Sequence, residues 1–217
     1  MSDDPETTRQ IGELARREGP LLVLDVDDVV LDFLGGFRNY LQSEGLELDL
    51  ATFRLHGNIR RLSDRIAVSD PDVSALIDAF FQHQAKWQMP VAGVAAALET
   101  IGRKASIILL TSMPHRHRLV RRTHLDRLAL PYPLLTTETP KGPAVARLRG
   151  ASGKPVAFMD DIPRNLISVQ EAVPDAHLFH LMASAHMRSL LPPLPAGIMP
   201  VADWDEALPR IVTALGI

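Results

Sequence analysis

Short apolar runs that each stop at a polar or acidic cluster constrain this chain more than any other feature. Leu21-Leu22-Val23-Leu24 stops at Asp25, and Ile107-Ile108-Leu109-Leu110 stops at Thr111-Ser112. Val156-Ala157-Phe158-Met159 stops at Asp160-Asp161, and a weaker run lies around His177 to Leu181. Unbroken runs of this length, rather than alternating ones, suit strands covered on both faces. Helical spacing lies between them: Val91 to Arg103 with Val94, Leu98 and Ile101 on one face, Pro143 to Arg149 after a TPKG opening, and Asp203 to Leu215. Strand alternating with helix predicts an α/β domain, a three-layer Rossmann-like parallel sheet core. Ligands of such sheets bind beyond the carboxyl ends of the strands. The residues closing each run are therefore the candidates for chemistry.

One stretch breaks this rhythm. Between Phe33 and Gln88 the sequence offers no buried strand, but helical patterns at Gly36–Glu44 and Val73–Lys86 separated by Gly45, Gly57-Asn58 and Asp70-Pro71. We expect a mostly helical cap over residues 33–88, inserted directly after the first strand, with residues 1–32 and 89–217 forming the core. An insertion at that point overhangs the strand's tip, where a lid would sit. Its hinges are expected near Asp32–Gly36 and Gln88–Gly93, where Gly and Pro cluster.

Composition narrows the function classes. A chain of 217 residues and 23.9 kDa fits one domain carrying an insertion. The net charge of −3 gives no global field for recruiting nucleic acid or an anionic membrane. Cysteine is absent, which removes disulfide scaffolds, thiolate metal sites and thiol catalysis together. The opening MSDDPETT is acidic, and no apolar run approaches the roughly 20 residues that span a bilayer. These features predict a soluble, cytoplasmic chain that acts on neither nucleic acid nor membrane; the oligomeric state is left open.

Asp25 and Asp27 stand two apart after the first strand, so in extended chain both carboxylates project the same way. Crowded carboxylates repel unless a cation offsets them, which points to a divalent metal; the alternative is a polar loop end on an acidic chain. Asp160-Asp161 repeats the arrangement at another strand end, and together the clusters would make an oxygen-rich site for Mg²⁺. The bland reading is that Asp161 merely caps the helix opening at Ile162-Pro163, and both roles can hold at once. Thr111 and Ser112 offer hydroxyls and backbone N–H groups to an anion, or alternatively an ordinary helix cap. Lys141 is one of four lysines in a chain that otherwise uses arginine, so its ammonium at a helix start points to phosphate, against a solvated surface lysine. The stretch from Pro114 to Arg127 carries five arginines and three histidines, but without interleaved aromatics it reads as a solvated helix face rather than a nucleic-acid patch.

The order LLVLDVDDVV, IILLTS, TPKGPA and VAFMDD resembles the motifs of the haloacid dehalogenase superfamily of phosphohydrolases over residues 20 to 215. The resemblance implies that Asp25 attacks phosphorus to form an aspartyl-phosphate and that Asp27 is the general acid and base. It implies that Thr111 and Lys141 hold phosphoryl oxygens. Mg²⁺ would be bound by Asp25, by the backbone carbonyl of Asp27 and by Asp161, with Asp160 behind it. Asp27 separates this pattern from dehalogenating members, which lack an acid at that position. Asp28 is a departure, since glycine is common there, and it adds a third carboxylate near the site. Ser112 and Arg164 at the core's edge, with Arg38 and His56 on the cap, are the expected substrate-binding residues. Aromatics such as Phe81 and Trp87 are read chiefly as packing between cap helices. DVDDVVLDFLGGF and DDIPRN are also similar to deoxyribonucleotidases, which makes a nucleotide monophosphate the alternative substrate. A phosphotransferase or mutase, and a silent phosphate-binding protein on the same fold, are the remaining alternatives.

Overall fold

The computed structural model describes residues 4–14, 18–52, 54–182, 184–191 and 193–217. The core holds α1 (Pro5–Gly12), β1 (Leu21–Leu24), α4 (Val94–Gly102), β4 (Ser106–Thr111), α5 (Arg118–Arg127), β5 (Leu134–Thr136), α6 (Lys141–Arg149), β6 (Val156–Asp160), α7 (Pro163–Ala172), β7 (His177–Leu181), α8 (Ala185–Ser189), β8 (Ile198–Val201) and α9 (Trp204–Leu215). Between β1 and α4 come α2 (Phe33–Ser43), β2 (Leu46–Leu48), β3 (Ile59–Arg61) and α3 (Asp70–Gln82).

Six strands form one parallel sheet in the order β5-β4-β1-β6-β7-β8. The chain leaves β1 toward β4 and β5, then returns across it to β6. β1 is thus the switch point of a doubly wound sheet, and the crevice beyond its carboxyl end is where such folds bind ligands. Successive side chains of a strand alternate faces, and the core divides accordingly. Leu22, Leu24, Ile107, Leu109, Ala157 and Met159 pack under α4, α5 and α9. Leu21, Val23, Ile108, Leu110, Val156 and Phe158 pack under α6 and α7. The three-layer Rossmann-like sheet expected from the apolar runs is the observed architecture. Among the described residues, no helix is long and apolar enough to cross a membrane.

Two short strands were not expected from the sequence, and both lie toward the sheet's margins. β8 carries Pro200, and β5 has only three residues. β5 is an edge strand covered by α1, whose Gln10 Oε1 accepts from Thr136 N (2.9 Å) while Thr7 Oγ1 donates to the Thr136 carbonyl (2.7 Å). A helix laid over an open edge satisfies its unpaired backbone groups.

The insertion is not wholly helical. β2 and β3 pair antiparallel, with Leu48 opposite Ile59 and Leu46 opposite Arg61. This ribbon is short and half-buried, so it leaves no apolar run to read. Phe33, Phe37, Tyr40, Phe80 and Phe81 form one aromatic cluster between α2 and α3, with ring centroids 5.2–6.2 Å apart among them. The packing reading of the insertion's aromatics is therefore correct for these rings. The two connections to the core run side by side, joined by Asp32 N to Met89 O (2.8 Å) and Val91 N to Val30 O (2.9 Å).

Candidate active site

β1 is flanked by β4 and β6, so its carboxyl end is the most enclosed point of the crevice, and Asp25 is the next residue. Its amide continues the ladder by donating to Met159 O (2.9 Å), which fixes the backbone beneath the carboxylate. Lys141 opens α6 and reaches in, fully buried, to donate to Asp25 Oδ1 (2.6 Å) and Asp160 Oδ2 (2.7 Å). The helix approaches closely because residue 142 is glycine: a Cβ there would lie 2.1 Å from the Ser168 carbonyl oxygen of α7.

Asp160 and Asp161 divide the work differently from a helix cap. Asp160 accepts from Ile162 N (2.8 Å), from Asn165 Nδ2 (3.0 and 3.1 Å) and from Lys141. The first residue before α7 is Ile162, and no side chain caps that helix. The reading of Asp161 as a cap is thus overturned, and the carboxylate is left for other use. His180, whose pKa is lowered by burial, donates from Nε2 to the Asp161 carbonyl (2.8 Å) and steadies that loop.

One oxygen or ligand atom from each of Asp25, Asp160 and Asp161 lies within 4.8 Å of the others. One buried ammonium faces this group. Burial pushes the Asp25 carboxyl up to about 7, with Asp160 and Asp27 adding to the rise against the pull of Lys141. Burial raises Asp161 well above the carboxylate range, and Asp160 and Asp25 raise it further. Burial would lower Lys141, but the charges of Asp160 and Asp25 outweigh it and hold the ammonium protonated. A buried excess of carboxylate oxygen, without nitrogen or sulfur donors, fits a hard divalent cation such as Mg²⁺. Since Asp160 is already held by three partners, Asp25 and Asp161 are the pair that would hold the ion directly.

Asp27 is not one of the three clustered carboxylates and has partners of its own. Its Oδ1 accepts from Arg121 Nη2 (2.9 Å) and from Gln88 Nε2 (2.9 Å), and its Oδ2 lies 3.4 Å from Thr111 Oγ1. Arg121 is fully buried on α5 and also donates to Gln84 and Gln88. This corrects the solvated-face reading of residues 114–127 for Arg121, while Arg116, Thr123, Asp126 and Arg127 do form an exposed face. His117 and His124 are buried too, and His117 Nε2 reaches Asp78 Oδ1 of α3 at 2.7 Å. Arg116, His117 and Arg121 reach the insertion, Arg118 and Arg122 bond to core carbonyls, and Arg116 and Arg127 are exposed.

Asp28 adds no fourth arm to the carboxylate group. It sits at φ +59°, the left-handed region where glycine is common, and its Oδ1 accepts from Phe33 N (2.9 Å) and Leu34 N (3.0 Å). Those bonds hold the start of α2, and burial pushes the carboxyl up to about 7. Of the expected binding residues, Thr111 is buried and accepts from Met113 N (3.1 Å), while Ser112 is exposed at the same strand tip. Arg164 is exposed in the first turn of α7. Arg38 is exposed on α2, and His56 is tied to Ser74 Oγ (3.1 Å) within the insertion; neither bonds to the carboxylate group. Arg121, Gln84, Gln88, Asn165 and His180 were not singled out from sequence. Asn165 closes the DDIPRN stretch and bonds back to its first residue, but the partners of the others are distant in the chain or sit on other elements, so no local pattern marks those.

No family model matches the sequence, and no curated relative does. Solved structures share the fold. Bacillus subtilis YfnB, a HAD-hydrolase structure bound to magnesium, is 13% identical over 93% of this chain and 100% of that one, with a TM-score of 0.62. A HAD family hydrolase from Deinococcus radiodurans with bound phosphate and sodium is 13% identical over 89% and 95%, with a TM-score of 0.58. A Thermotoga maritima structure described as a β-phosphoglucomutase is 16% identical over 89% and 99%, with a TM-score of 0.59.

Proposed function

We propose that this chain, with its haloacid dehalogenase-type fold, is a Mg²⁺-dependent phosphomonoester hydrolase of that superfamily, acting on a small phosphorylated metabolite through an aspartyl-phosphate. The observation that carries this is the buried triad of Asp25, Lys141 and Asp160 beside Asp161, at the carboxyl edge of β1 and β6. The neighbours with bound magnesium and bound phosphate support the choice of ion and of ligand.

In this reading a carboxylate oxygen of Asp25 attacks phosphorus as the ester P–O bond breaks. The electron pair of that bond goes to the ester oxygen, and Asp27 gives it a proton. Water then attacks phosphorus, Asp27 takes its proton, and the Asp25 carboxylate departs. Lys141 and the residues of the β4 tip, Thr111 and Ser112, neutralise and orient the phosphoryl oxygens. A magnesium ion held by Asp25 and Asp161 would supply further charge neutralisation.

Phosphate release from a panel of sugar phosphates, polyol phosphates, nucleoside monophosphates and p-nitrophenyl phosphate tests the class. Turnover is expected with Mg²⁺ and is expected to stop with EDTA. Silence across the panel from folded protein would contradict the proposal. The raised carboxyls add a second readout. Asp25 binds its proton more tightly folded than unfolded, so its contribution favours the metal-free fold below about pH 4 and is lost as pH rises through 7. The rise in melting temperature on adding Mg²⁺ should therefore be larger at pH 8 than at pH 5.5. An equal rise at both pH values would argue against these carboxylates as the ligands.

A further inference from the structure

The acid–base carboxylate is held from outside the carboxylate group. Asp27 Oδ1 accepts two hydrogen bonds, from Arg121 Nη2 (2.9 Å) and Gln88 Nε2 (2.9 Å). Neither donor can take a proton in exchange. The oxygen left to carry one is Oδ2, whose only hydrogen-bond partner among the described residues is the Thr111 hydroxyl at 3.4 Å.

The holding group is itself fixed. The Arg121 side chain has no exposure, whereas Asp27 is 19% exposed, so the carboxylate is reachable from the crevice and its partner is not. Arg121 also donates to Gln84 and to Gln88 Oε1 (3.2 Å), and the His124 ring donates to the Gln88 carbonyl (2.9 Å). Gln84 and Gln88 stand where the insertion returns to the core. Among the described residues the guanidinium Nη1 is buried with no hydrogen-bond partner.

We propose that Arg121 is a positioning residue for Asp27. With Gln88 it pins Oδ1, so that Oδ2 is the oxygen that hands a proton to the leaving group, and it sets that geometry from the return of the insertion. The inference rests on the phosphomonoesterase reading above and adds to it a residue outside its sequence motifs.

The test compares leaving groups. The p-nitrophenolate ion departs without a proton, whereas an alkoxide needs one, so misplacing Oδ2 penalises alkyl esters selectively. In kcat/KM, which ends at the first phosphoryl transfer, Arg121→Met should lose about 10²-fold with the alkyl phosphate that the wild-type chain turns over fastest, in line with the usual worth of a general acid. The loss with p-nitrophenyl phosphate should stay within about fivefold. Arg121→Lys should fall between, and Asp27→Asn should show the same split in larger size. If Arg121→Met does not fold, Gln88→Leu carries the comparison, because it removes one donor to Oδ1 and leaves the ion pair. Equal losses with both esters in the folded variants would overturn the positioning role. A wild-type chain that turns over neither ester would overturn the hydrolase reading itself.

Discussion

Replacing Lys141 with methionine should destabilise the metal-free protein by about 3–5 kcal/mol at pH 8, the usual cost of removing one partner from a buried ion pair. For a chain of this size that corresponds to roughly 6–20 °C in melting temperature. The ammonium is fully buried and lies 2.6 Å from Asp25 and 2.7 Å from Asp160. Methionine fills similar space but leaves both carboxylates facing each other and Asp161. The loss should shrink at pH 5. Without the lysine the already raised Asp25 carboxyl rises further, and taking up a proton relieves the repulsion. Mg²⁺ should restore part of the lost stability at pH 8, since it supplies the missing positive charge. Calorimetry at the two pH values, with and without the metal, checks all three outcomes. A variant equally stable at pH 8 would mean that the carboxylates are not charged together in the folded state.

The second large effect is on chemistry. Asp25→Asn should lower kcat by about 10⁴–10⁶-fold, the range seen when a residue that acts at the reacting centre is removed. Its melting temperature should stay within a few degrees of wild type, because the amide fills the same space and Lys141 keeps Asp160. A comparable loss of activity with a collapsed fold would be uninformative, so the paired measurement matters. Retention of even a hundredth of the wild-type rate would exclude Asp25 as the nucleophile. The contrast between the two substitutions is the useful part: Lys141 serves both stability and charge neutralisation, whereas Asp25 is expected to serve chemistry at some cost to the metal-free fold.

How much of this was legible in the sequence follows from chain distance. Asp25, Thr111 and Asp160-Asp161 each end a run of residues buried on both faces, and Lys141 opens a helix after a recognisable TPKG, so local pattern alone placed them at one edge of the sheet. The sheet's centre was readable for the same reason. Its margins were not: β5 and β8 are short, and β5 is completed by Gln10, 126 residues earlier in the chain. The β2–β3 ribbon escaped because its residues are half-buried and mixed in polarity. The surroundings of Asp27 were the largest omission. Arg121 stands 94 residues away among four other arginines of the same stretch, and nothing in its local spacing separates the buried one from its neighbours. From sequence Asp28 was an extra acid at a position where glycine is common. Its backbone angle and its bonds to Phe33 and Leu34 show a turn residue that anchors α2.

The most direct measurement is to look for the covalent intermediate on Asp25. Borohydride reduces an aspartyl-phosphate to homoserine, so wild-type protein turning over its best phosphate ester with Mg²⁺ can be quenched with borohydride, digested and read by mass spectrometry. We expect homoserine at position 25, dependent on substrate and metal and absent from Asp25→Asn. Phosphate release with position 25 unmodified, or homoserine at another aspartate, would contradict phosphoryl transfer to Asp25.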